Sequence, residues 1–430
     1  MRGNTLYVFD LPNYKAIPKW NNVSLEEFSN HLWQERNCIT KPEFLKEVLG
    51  NIVSDDFFDD LNKGQLKTPM ALRITPYIIS LVDWNNWRKD PIRRQFIPLM
   101  SEMESDHPMA SLDPMEEQSD SPTLGLSHRY PDKALLLANN VCPVYCRYCT
   151  RAYAIGGSTD TVSKVSLGAS KNRLEEAISY IKDSSKIEDI VVSGGDAFRL
   201  KPKTLLSICE ELLSIPHVRR IRVATKGLAV LPVKITSDRE WTDAVVRISD
   251  LARSMLKQFS IQTHFNHPQE ISEYTRAAMS CLFSKGVVVR NQSVLLRGVN
   301  DNSKTVIHLN KLLSHLNIQP YYVYIGDMTK GAEDLRTSLD VAISIEKEVR
   351  GQTSGYNTPT FVVDLPGGGG KRDIHSFESY DRTTGIARYI SPVIDESRIY
   401  QYCDPISYLP LDGRKYWEDI GNEKQLEDAL

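Results

Sequence analysis

The sequence predicts an α/β protein with a partial (β/α)6, TIM-like barrel, a helical region before the barrel and a C-terminal extension after it. Six short apolar or β-branched runs alternate with helix-length segments from about residue 133 to about residue 325. This is the pattern of right-handed βαβ units that form a parallel sheet. The segments 172–182 and 305–316 repeat apolar residues at the i, i+3, i+4, i+7 spacing of an amphipathic helix.

Polar residues at the ends of the apolar runs favour a barrel over the competing layout, an open doubly wound sheet. Barrel enzymes collect their chemistry at the carboxyl-terminal ends of their strands. In chain order the polar residues are three cysteines, then Gly194–Asp196, Thr225 and Lys226, 264–267, Gln292 and Asp327.

The chain divides into three predicted regions. Residues 1–125 should be mainly helical, and Ser24 is placed as an N-cap with Glu27 at the capping-box position. Residues 101–125, called the arm below, are rich in Ser, Asp, Glu and Pro without apolar periodicity, which predicts an exposed connection. Residues 126–345 should form the barrel, and 346–430 the C-terminal region.

Composition excludes several classes of protein. The 52 Lys and Arg residues and 55 Asp and Glu residues give a formal net charge of −3, so nucleic acid is not an expected partner. The first residues lack the apolar core of a signal peptide, and no apolar run reaches membrane-spanning length. Seven cysteines in 430 residues are no disulfide framework. A soluble, cytoplasmic protein is expected.

Cys142, Cys146 and Cys149 form a C-x₃-C-x₂-C triplet without a nearby fourth cysteine. A structural zinc site usually has four ligands in paired knuckles, and a redox disulfide needs only two thiols. A 4Fe–4S cluster held by three thiolates leaves one iron open to a small molecule, which suits the spacing best. Buried or zinc-bound cysteines remain alternatives on spacing alone.

The run Gly367–Gly370 followed by Lys371 invites a phosphate-loop interpretation. That motif requires Gly at position 365 and Ser or Thr at 372, where Leu365 and Arg372 stand. Glycines let the backbone approach a bulky ligand closely. Lys371 could then bind an aldehyde cofactor covalently, or it could be a solvated loop lysine.

The cysteine spacing resembles the signature of the radical S-adenosylmethionine (SAM) superfamily. Its members carry the cluster on the loop after the first strand of a partial barrel, and "SGGD" at Ser193–Asp196 matches their second, SAM-contacting signature. The stretches "HRYPDKALLL", "THFNHPQEIS", "NQSVLLRGVND", "QPYYVYIGD" and "GQTSGYNTPTFVVDLPGGGGK" look like the lysine 2,3-aminomutase family. This similarity runs from about Trp33 to Lys371.

The resemblance implies a role for each matching residue. It implies a 4Fe–4S cluster, SAM and pyridoxal 5′-phosphate (PLP) as cofactors. The assignments are Cys142, Cys146 and Cys149 for the cluster, Ser193, Gly194, Gly195, Asp196, His264 and Gln292 for SAM, Lys371 for PLP, Arg129 and Lys133 for the PLP phosphate, Arg151 for the substrate carboxylate, and Asp327 and Asp364 for the distal ammonium of the substrate.

The sequence departs from the family at several positions. Asn302 replaces a zinc-binding cysteine and the C-terminal tail holds only Cys403, so no structural zinc is predicted. Ala152 and Tyr153 replace a basic pair, and Gly326 replaces a cysteine before the first substrate aspartate.

The resemblance implies an isomerase that moves the α-amino group of a cationic L-amino acid to C3, first L-lysine to L-β-lysine and next L-arginine. Glutamate is disfavoured because two aspartates would repel it. The alternatives are a radical SAM and PLP enzyme with a different outcome, or a non-enzymatic iron–sulfur or zinc protein. A flavodoxin- or ferredoxin-type electron donor and a homo-oligomer are the expected partners.

Overall fold

The structure is a computed structural model that describes residues 8–167 and 171–428. Residues 1–7, where the sequence predicts no signal peptide, lie outside the described residues. Within these ranges no helix combines the length and the hydropathy needed to cross a bilayer. The helices of the N-terminal region are α1 (Leu25–Phe28), α2 (His31–Arg36), α3 (Pro42–Leu49), α4 (Asp55–Gln65), α5 (Pro76–Leu81) and α6 (Pro91–Phe96).

The start of α1 confirms the predicted capping box. The Ser24 hydroxyl accepts a hydrogen bond from Glu27 N at 3.1 Å, and Glu27 Oε2 accepts from Ser24 N at 3.0 Å. The helix ends after one turn, because Asn30 caps a second helix by accepting from Leu32 N at 2.8 Å. Two short helices, α1 and α2, therefore follow the predicted cap.

One large sheet forms the centre of the described chain. Strands β2 to β8 are parallel neighbours in sequence order, and β1 and β9 add antiparallel strands at the two edges. The strands are β1 (Leu126–Tyr130), β2 (Lys133–Asn139), β3 (Asp189–Gly194), β4 (Arg220–Ala224), β5 (Gln258–Thr263), β6 (Val289–Val294), β7 (Ile318–Tyr324), β8 (Thr360–Leu365) and β9 (Gly370–Asp373).

Helices connect the parallel strands and complete six β/α units, which confirms the predicted partial barrel. They are α7 (Lys171–Asp183), α8 (Pro202–Ser214), α9 (Gly227–Val230), α10 (Val233–Ser237), α11 (Arg239–Ser254), α12 (Glu273–Ser284), α13 (Ser303–His315) and α14 (Leu339–Val349). Within the described residues β1 and β9 are not hydrogen-bonded to each other, so the barrel is not closed. The sheet continues beyond residue 345, because β8 is a seventh parallel strand.

The predicted amphipathic stripes face the core. Ala177, Ile178 and Ile181 on α7 are buried, and so are Leu309 and Leu313 on α13. Burial of such side chains supplies most of the stability of a helix packed on a sheet.

The C-terminal extension is a small β-sheet with a final helix. Its elements are β10 (Ser379–Asp381), β11 (Ile386–Ser391), β12 (Asp395–Cys403) and α15 (Leu411–Asp428). Tyr389, Tyr402 and Trp417 are buried in one apolar cluster with Val363 and Leu365 of β8. The extension therefore packs against β8, the last parallel strand of the sheet.

The arm is only partly the exposed connection that its composition predicts. The arm has little regular structure, but Glu117 is buried. The backbone of the arm is hydrogen-bonded to two loops at the carboxyl ends of the strands. Ser111 N donates to Met328 O at 3.0 Å, and Gly367 N donates to Pro114 O at 2.9 Å. The prediction of exposure was wrong for this middle part, because a polar sequence can be buried when its charges are paired.

Candidate active site

The loop after β2 carries the three predicted cluster cysteines and is held by the N-terminal region. Arg73 Nε donates to Cys142 O at 3.0 Å, and Tyr145 N donates to Arg73 O at 2.9 Å. Arg147 N donates to Gln95 O at 3.0 Å. These backbone contacts fix an irregular loop that the sheet alone would not order.

The three thiols are free and only partly exposed. Burial raises the pKa of each, to about 12 for Cys146. Among the described residues, no three Cys, His, Asp or Glu side chains are grouped to hold a single metal ion. A cluster is ligated differently, because each thiolate binds a different iron and soft thiolates are its normal ligands. The donor set therefore fits an iron–sulfur cluster.

The end of β3 packs against the start of the cysteine loop so closely that only glycine fits. A Cβ on Gly194 would lie 2.2 Å from Asn139 O, and one on Gly195 would lie 2.5 Å from Val141 N. Gly194 also has φ +120°, which disfavours other residues. Ser193 before them is buried. The second predicted signature, Ser193–Asp196, therefore packs directly against the start of the cysteine loop.

Asp196 joins the ends of β3 and β4. Its Oδ1 accepts from Phe198 N at 2.7 Å, and its Oδ2 accepts from Lys226 N at 2.8 Å. Burial raises the pKa of Asp196 to about 6, although these hydrogen bonds favour the ionised form. Within the chain, this carboxylate fixes the loop backbone.

His264 is a half-buried neutral imidazole beside the cysteine loop. Its Nδ1 lies 2.5 Å from Gln292 O, and its Nε2 lies 3.2 Å from Tyr148 Oη and 3.3 Å from Asn266 Nδ2. Burial, and then the nearby Lys226 ammonium, lower the pKa of His264 to about 3. Nδ1 therefore donates to the carbonyl, and Nε2 accepts.

Lys371 lies on β9 directly opposite Asp364 on β8. Its Nζ donates to Asp364 Oδ2 at 2.8 Å, and its backbone N donates to Tyr130 Oη at 2.8 Å. The side chain is 34% exposed, so the amine can be reached from outside. Burial disfavours the ammonium, but the Asp364 carboxylate together with the Tyr324 and Tyr130 side chains outweighs burial and raises the pKa of Lys371.

Asp327 lies close enough to Asp364 and Lys371 for the charges of both to affect its pKa. Asp327 follows β7, and burial followed by the charge of Asp364 raises the pKa of Asp327 to about 8. Oδ1 of Asp327 and Oδ1 of Asp364 are buried without a hydrogen-bond partner within the described chain. Orphaned buried acceptors of this kind indicate a site for a donor that the chain itself does not supply.

The two predicted phosphate residues have different surroundings. Arg129 is mostly buried; its Nε donates to Asp120 Oδ2 at 2.6 Å, and its Nη1 lies 3.9 Å from Asp364 Oδ1. The Lys133 ammonium lies 3.9 Å from the centroid of the Tyr130 ring and its side chain is 37% exposed. Tyr130 thus lies between Lys133 and the backbone of β9.

The glycine run lets β9 approach its neighbours. A Cβ on Gly370, where φ is +74°, would lie 2.6 Å from Tyr130 Oη, and one on Gly369 would lie 2.6 Å from the Tyr400 ring. Both side chains pack against the loop that precedes Lys371. The glycines therefore form a tight turn that positions Lys371.

Arg151, the predicted substrate-carboxylate residue, is paired with an acid from the arm. Nε donates to Glu117 Oε2 at 2.7 Å and Nη2 donates to Glu117 Oε1 at 2.6 Å. Tyr153 Oη donates to Glu117 Oε2 at 3.2 Å. Sequence reasoning missed Glu117, because a contact across 34 residues leaves no periodic signal.

The chain is similar to known proteins over most of its length. The family model described as Lysine-2,3-aminomutase matches residues 345–428. An L-lysine 2,3-aminomutase of Fusobacterium nucleatum subsp. nucleatum is 40% identical over 82% of this chain and 78% of that protein. One from Clostridium subterminale is 37% identical over 91% of this chain and 88% of its own length.

A relative with another substrate in its name is somewhat more distant. A glutamate 2,3-aminomutase of Clostridioides difficile is 34% identical over 81% of this chain and 77% of that protein. All three relatives are aminomutases by name, and they are 34–40% identical to this chain over more than four fifths of its length. This chain belongs to the lysine 2,3-aminomutase family.

Proposed function

We propose that the protein is a radical SAM 2,3-aminomutase that moves the α-amino group of L-lysine to C3 and gives L-β-lysine. Family membership supports the reaction class. The observation that carries the choice of a cationic substrate is the pair Asp327 and Asp364, whose buried Oδ1 atoms lack partners within the described residues.

The physical basis of this choice is charge. Two ionised carboxylates in a buried site repel each other, and here the repulsion contributes to the raised pKa of Asp327. The Lys371 ammonium offsets part of this repulsion. Once Lys371 holds an aldehyde cofactor, a substrate cation between the carboxylates would take its place. The ammonium of a lysine substrate carries three donors, enough to reach both orphaned oxygens.

We assign the remaining residues by the same logic. Cys142, Cys146 and Cys149 would hold the cluster, and Ser193–Asp196 with His264 and Gln292 would surround SAM. Lys371 would hold PLP, with Arg129 and Lys133 at its phosphate. When bound, these groups supply one-electron cleavage of SAM and stabilisation of the migrating nitrogen.

The chain's own residues bind and orient the substrate. Arg151 offers a planar guanidinium that can receive the α-carboxylate by two parallel hydrogen bonds. At the far end, Asp327 and Asp364 bind the ammonium. Because these groups lie at opposite ends of the substrate, they fix its position along its length. Placement of this kind is the protein's main contribution when cofactors carry the chemistry.

L-arginine is the alternative cationic substrate. The absence of a side chain at Gly326 was expected to make room for a guanidinium. A Cβ there would make ordinary van der Waals contact with Cγ of Arg336 at 3.4 Å, so the glycine leaves space for about one carbon atom beside Arg336. The glycine therefore does not support arginine over lysine.

Product analysis under anaerobic conditions tests the proposal. Reconstituted protein would be incubated with SAM, PLP, a reductant and either L-lysine or L-arginine, and the derivatised amino acids would be separated and identified by mass spectrometry. We expect β-lysine, with the mass of lysine and a different retention time. A product of different mass would favour another radical SAM and PLP reaction, and no cleavage of SAM would favour a binding protein.

Several finer expectations stay predictions. The flavodoxin- or ferredoxin-type electron donor, the homo-oligomer and the cytoplasmic location are expectations of this kind. The absence of structural zinc also stays a prediction, which metal analysis of the purified protein would check.

A further inference from the structure

Glu117 contacts only one side of the Arg151 guanidinium. The carboxylate takes the edge formed by Nε and Nη2, at 2.7 and 2.6 Å. A guanidinium carries five donors in a fixed plane. The opposite edge, formed by Nη1 and the second hydrogen of Nη2, is not used by Glu117, and Nη1 has no hydrogen-bond partner among the described residues. Arg151 can therefore bind a second carboxylate while it keeps the first.

The pair lies beside the cation site. Both Glu117 and Arg151 are close enough to Asp327 to influence its pKa, Glu117 upward and Arg151 downward. The Glu117 and Arg151 side chains are only 11% and 24% exposed. In such surroundings a charge-assisted pair is weakly screened, and its geometry is well defined.

Glu117 is itself held by contacts on several sides. Its backbone N donates to Asp113 Oδ1 at 3.0 Å, and Ser121 Oγ donates to its backbone O at 2.8 Å. Tyr153, which replaces a basic residue of the family, donates to the Glu117 carboxylate. Glu117 is thus held through both its backbone and its carboxylate. It can therefore hold the Arg151 guanidinium in a fixed orientation.

Resting on the function proposed above, we propose that Glu117 is a positioning residue for Arg151. It holds the guanidinium by its Nε edge so that the free edge receives the α-carboxylate of the amino-acid substrate. Tyr153 assists by orienting the Glu117 carboxylate. The arm thereby contributes to recognition of the carboxylate end of the substrate through Arg151.

The competing hypothesis is that Glu117 blocks Arg151 and must leave before the substrate binds. The two hypotheses predict opposite changes when Glu117 loses its charge. Under the positioning hypothesis Glu117→Gln weakens binding of the substrate, because an amide can accept from only one of the two Arg151 donors. Under the blocking hypothesis the same variant binds substrate more tightly.

The test is equilibrium binding of L-lysine and of L-lysinamide to the cluster-reconstituted, PLP-loaded protein without reductant. Lysinamide keeps both amines and lacks the carboxylate. We expect Glu117→Gln to raise the Kd of lysine about tenfold, as for one lost charge-assisted hydrogen bond, with the Kd of lysinamide unchanged. Tyr153→Phe should raise the Kd of lysine less than Glu117→Gln does.

Glu104→Gln is the matched control, because Glu104 is another arm carboxylate paired with an arginine, Arg297, at 2.8 Å. It should leave both Kd values unchanged. An unchanged or lower Kd of lysine in Glu117→Gln would overturn the positioning role, and so would an equal loss for both ligands, which would indicate a displaced arm. If the wild-type protein bound lysinamide as tightly as lysine, carboxylate recognition and this inference would both fail. If wild-type protein bound lysine but did not isomerise it, the proposed function would fail while the positioning role of Glu117 could still hold.

Discussion

The polar residues at the carboxyl ends of the strands form two groups, called the cysteine half and the lysine half. The two halves differ in whether all their carboxylate oxygens have hydrogen-bond partners within the described chain. In the cysteine half, formed by the ends of β2 to β6, both carboxylate oxygens of Asp196 and both ring nitrogens of His264 have partners within the chain. In the lysine half, formed by β7 to β9 and the arm, Asp327 and Asp364 each have an orphaned buried oxygen. The carboxylate of the cysteine half is therefore satisfied within the chain, whereas the carboxylates of the lysine half need a cation to complete them.

The largest expected effect removes a cofactor from the cysteine half. Cys146→Ala should lose the iron-dependent visible absorbance and all aminomutase activity, because two thiolates hold a cluster poorly. Iron analysis after anaerobic reconstitution measures this. Cys281→Ala on α12 is the control and should keep its iron. A Cys146→Ala protein with full iron content and activity would contradict the assignment.

The corresponding change in the lysine half is Lys371→Ala. It should abolish covalent attachment of PLP and reduce activity below detection, because no other amine is placed on β9 opposite Asp364. Iron content should stay at the wild-type level, which would separate the two halves. The visible spectrum of the PLP-treated protein is the measurement, with Lys330→Ala as a control. Retained PLP absorbance in Lys371→Ala would show that another residue carries the cofactor.

A smaller effect is expected when one carboxylate of the cation site is neutralised. Asp327→Asn should lower kcat/KM for lysine by about a hundredfold, near the upper range for one hydrogen bond to a charged group. Steady-state kinetics measure this. SAM binding and iron content should not change, because Asp327 belongs to the lysine half. An equal fall in SAM affinity would show that the halves are not independent.

The raised pKa of Asp327 predicts a pH dependence of binding. With a pKa of about 8, Asp327 in the free protein keeps its proton below that pH, and the ammonium of lysine binds the ionised form. Lysine affinity should therefore rise with pH between about 6 and 8, by at most about tenfold per pH unit. The Kd across this range is the measurement.

Asp327→Asn is the control for the pH series, since it retains any pH dependence that comes from the amino acid or from PLP. Its profile should be flatter than that of the wild type. Parallel profiles would show that Asp327 does not titrate in this range.

The smallest effect is expected at the phosphate end. Lys133→Gln should weaken PLP binding by only about twofold to threefold, because exposed charge pairs contribute little. Arg129→Gln should have a larger effect, since Arg129 is mostly buried. Titration of both variants with PLP, followed by absorbance, measures the difference. Equal losses would show that exposure does not separate the two residues.

Much of the cysteine half could be predicted from the sequence, because its residues follow strands with strong apolar patterns. β2, β3 and β5 form in the region of the predicted runs, and Cys142, Gly194 and His264 lie at or just after the ends of these strands. Local pattern and short motifs determine this part of the fold.

The lysine half was harder to predict, since long-range contacts build it. "FVVDL" lies after the predicted end of the barrel at residue 345, yet it forms the seventh parallel strand by pairing with β7. Glu117 gave no signal because the arm has no periodicity, and its burial depends on Arg151 and Tyr153. Tertiary pairing of charges decides such positions, and composition describes them poorly.

Competition between amino acids tests most directly whether the lysine half is completed by a cation. Anaerobically reconstituted protein would receive equal concentrations of L-lysine, L-norleucine, which lacks the distal ammonium, and L-glutamate, which carries the opposite charge. We predict that β-lysine forms while norleucine and glutamate stay unchanged until lysine is consumed. Conversion of norleucine or glutamate at a rate comparable to that of lysine would contradict the role of Asp327 and Asp364.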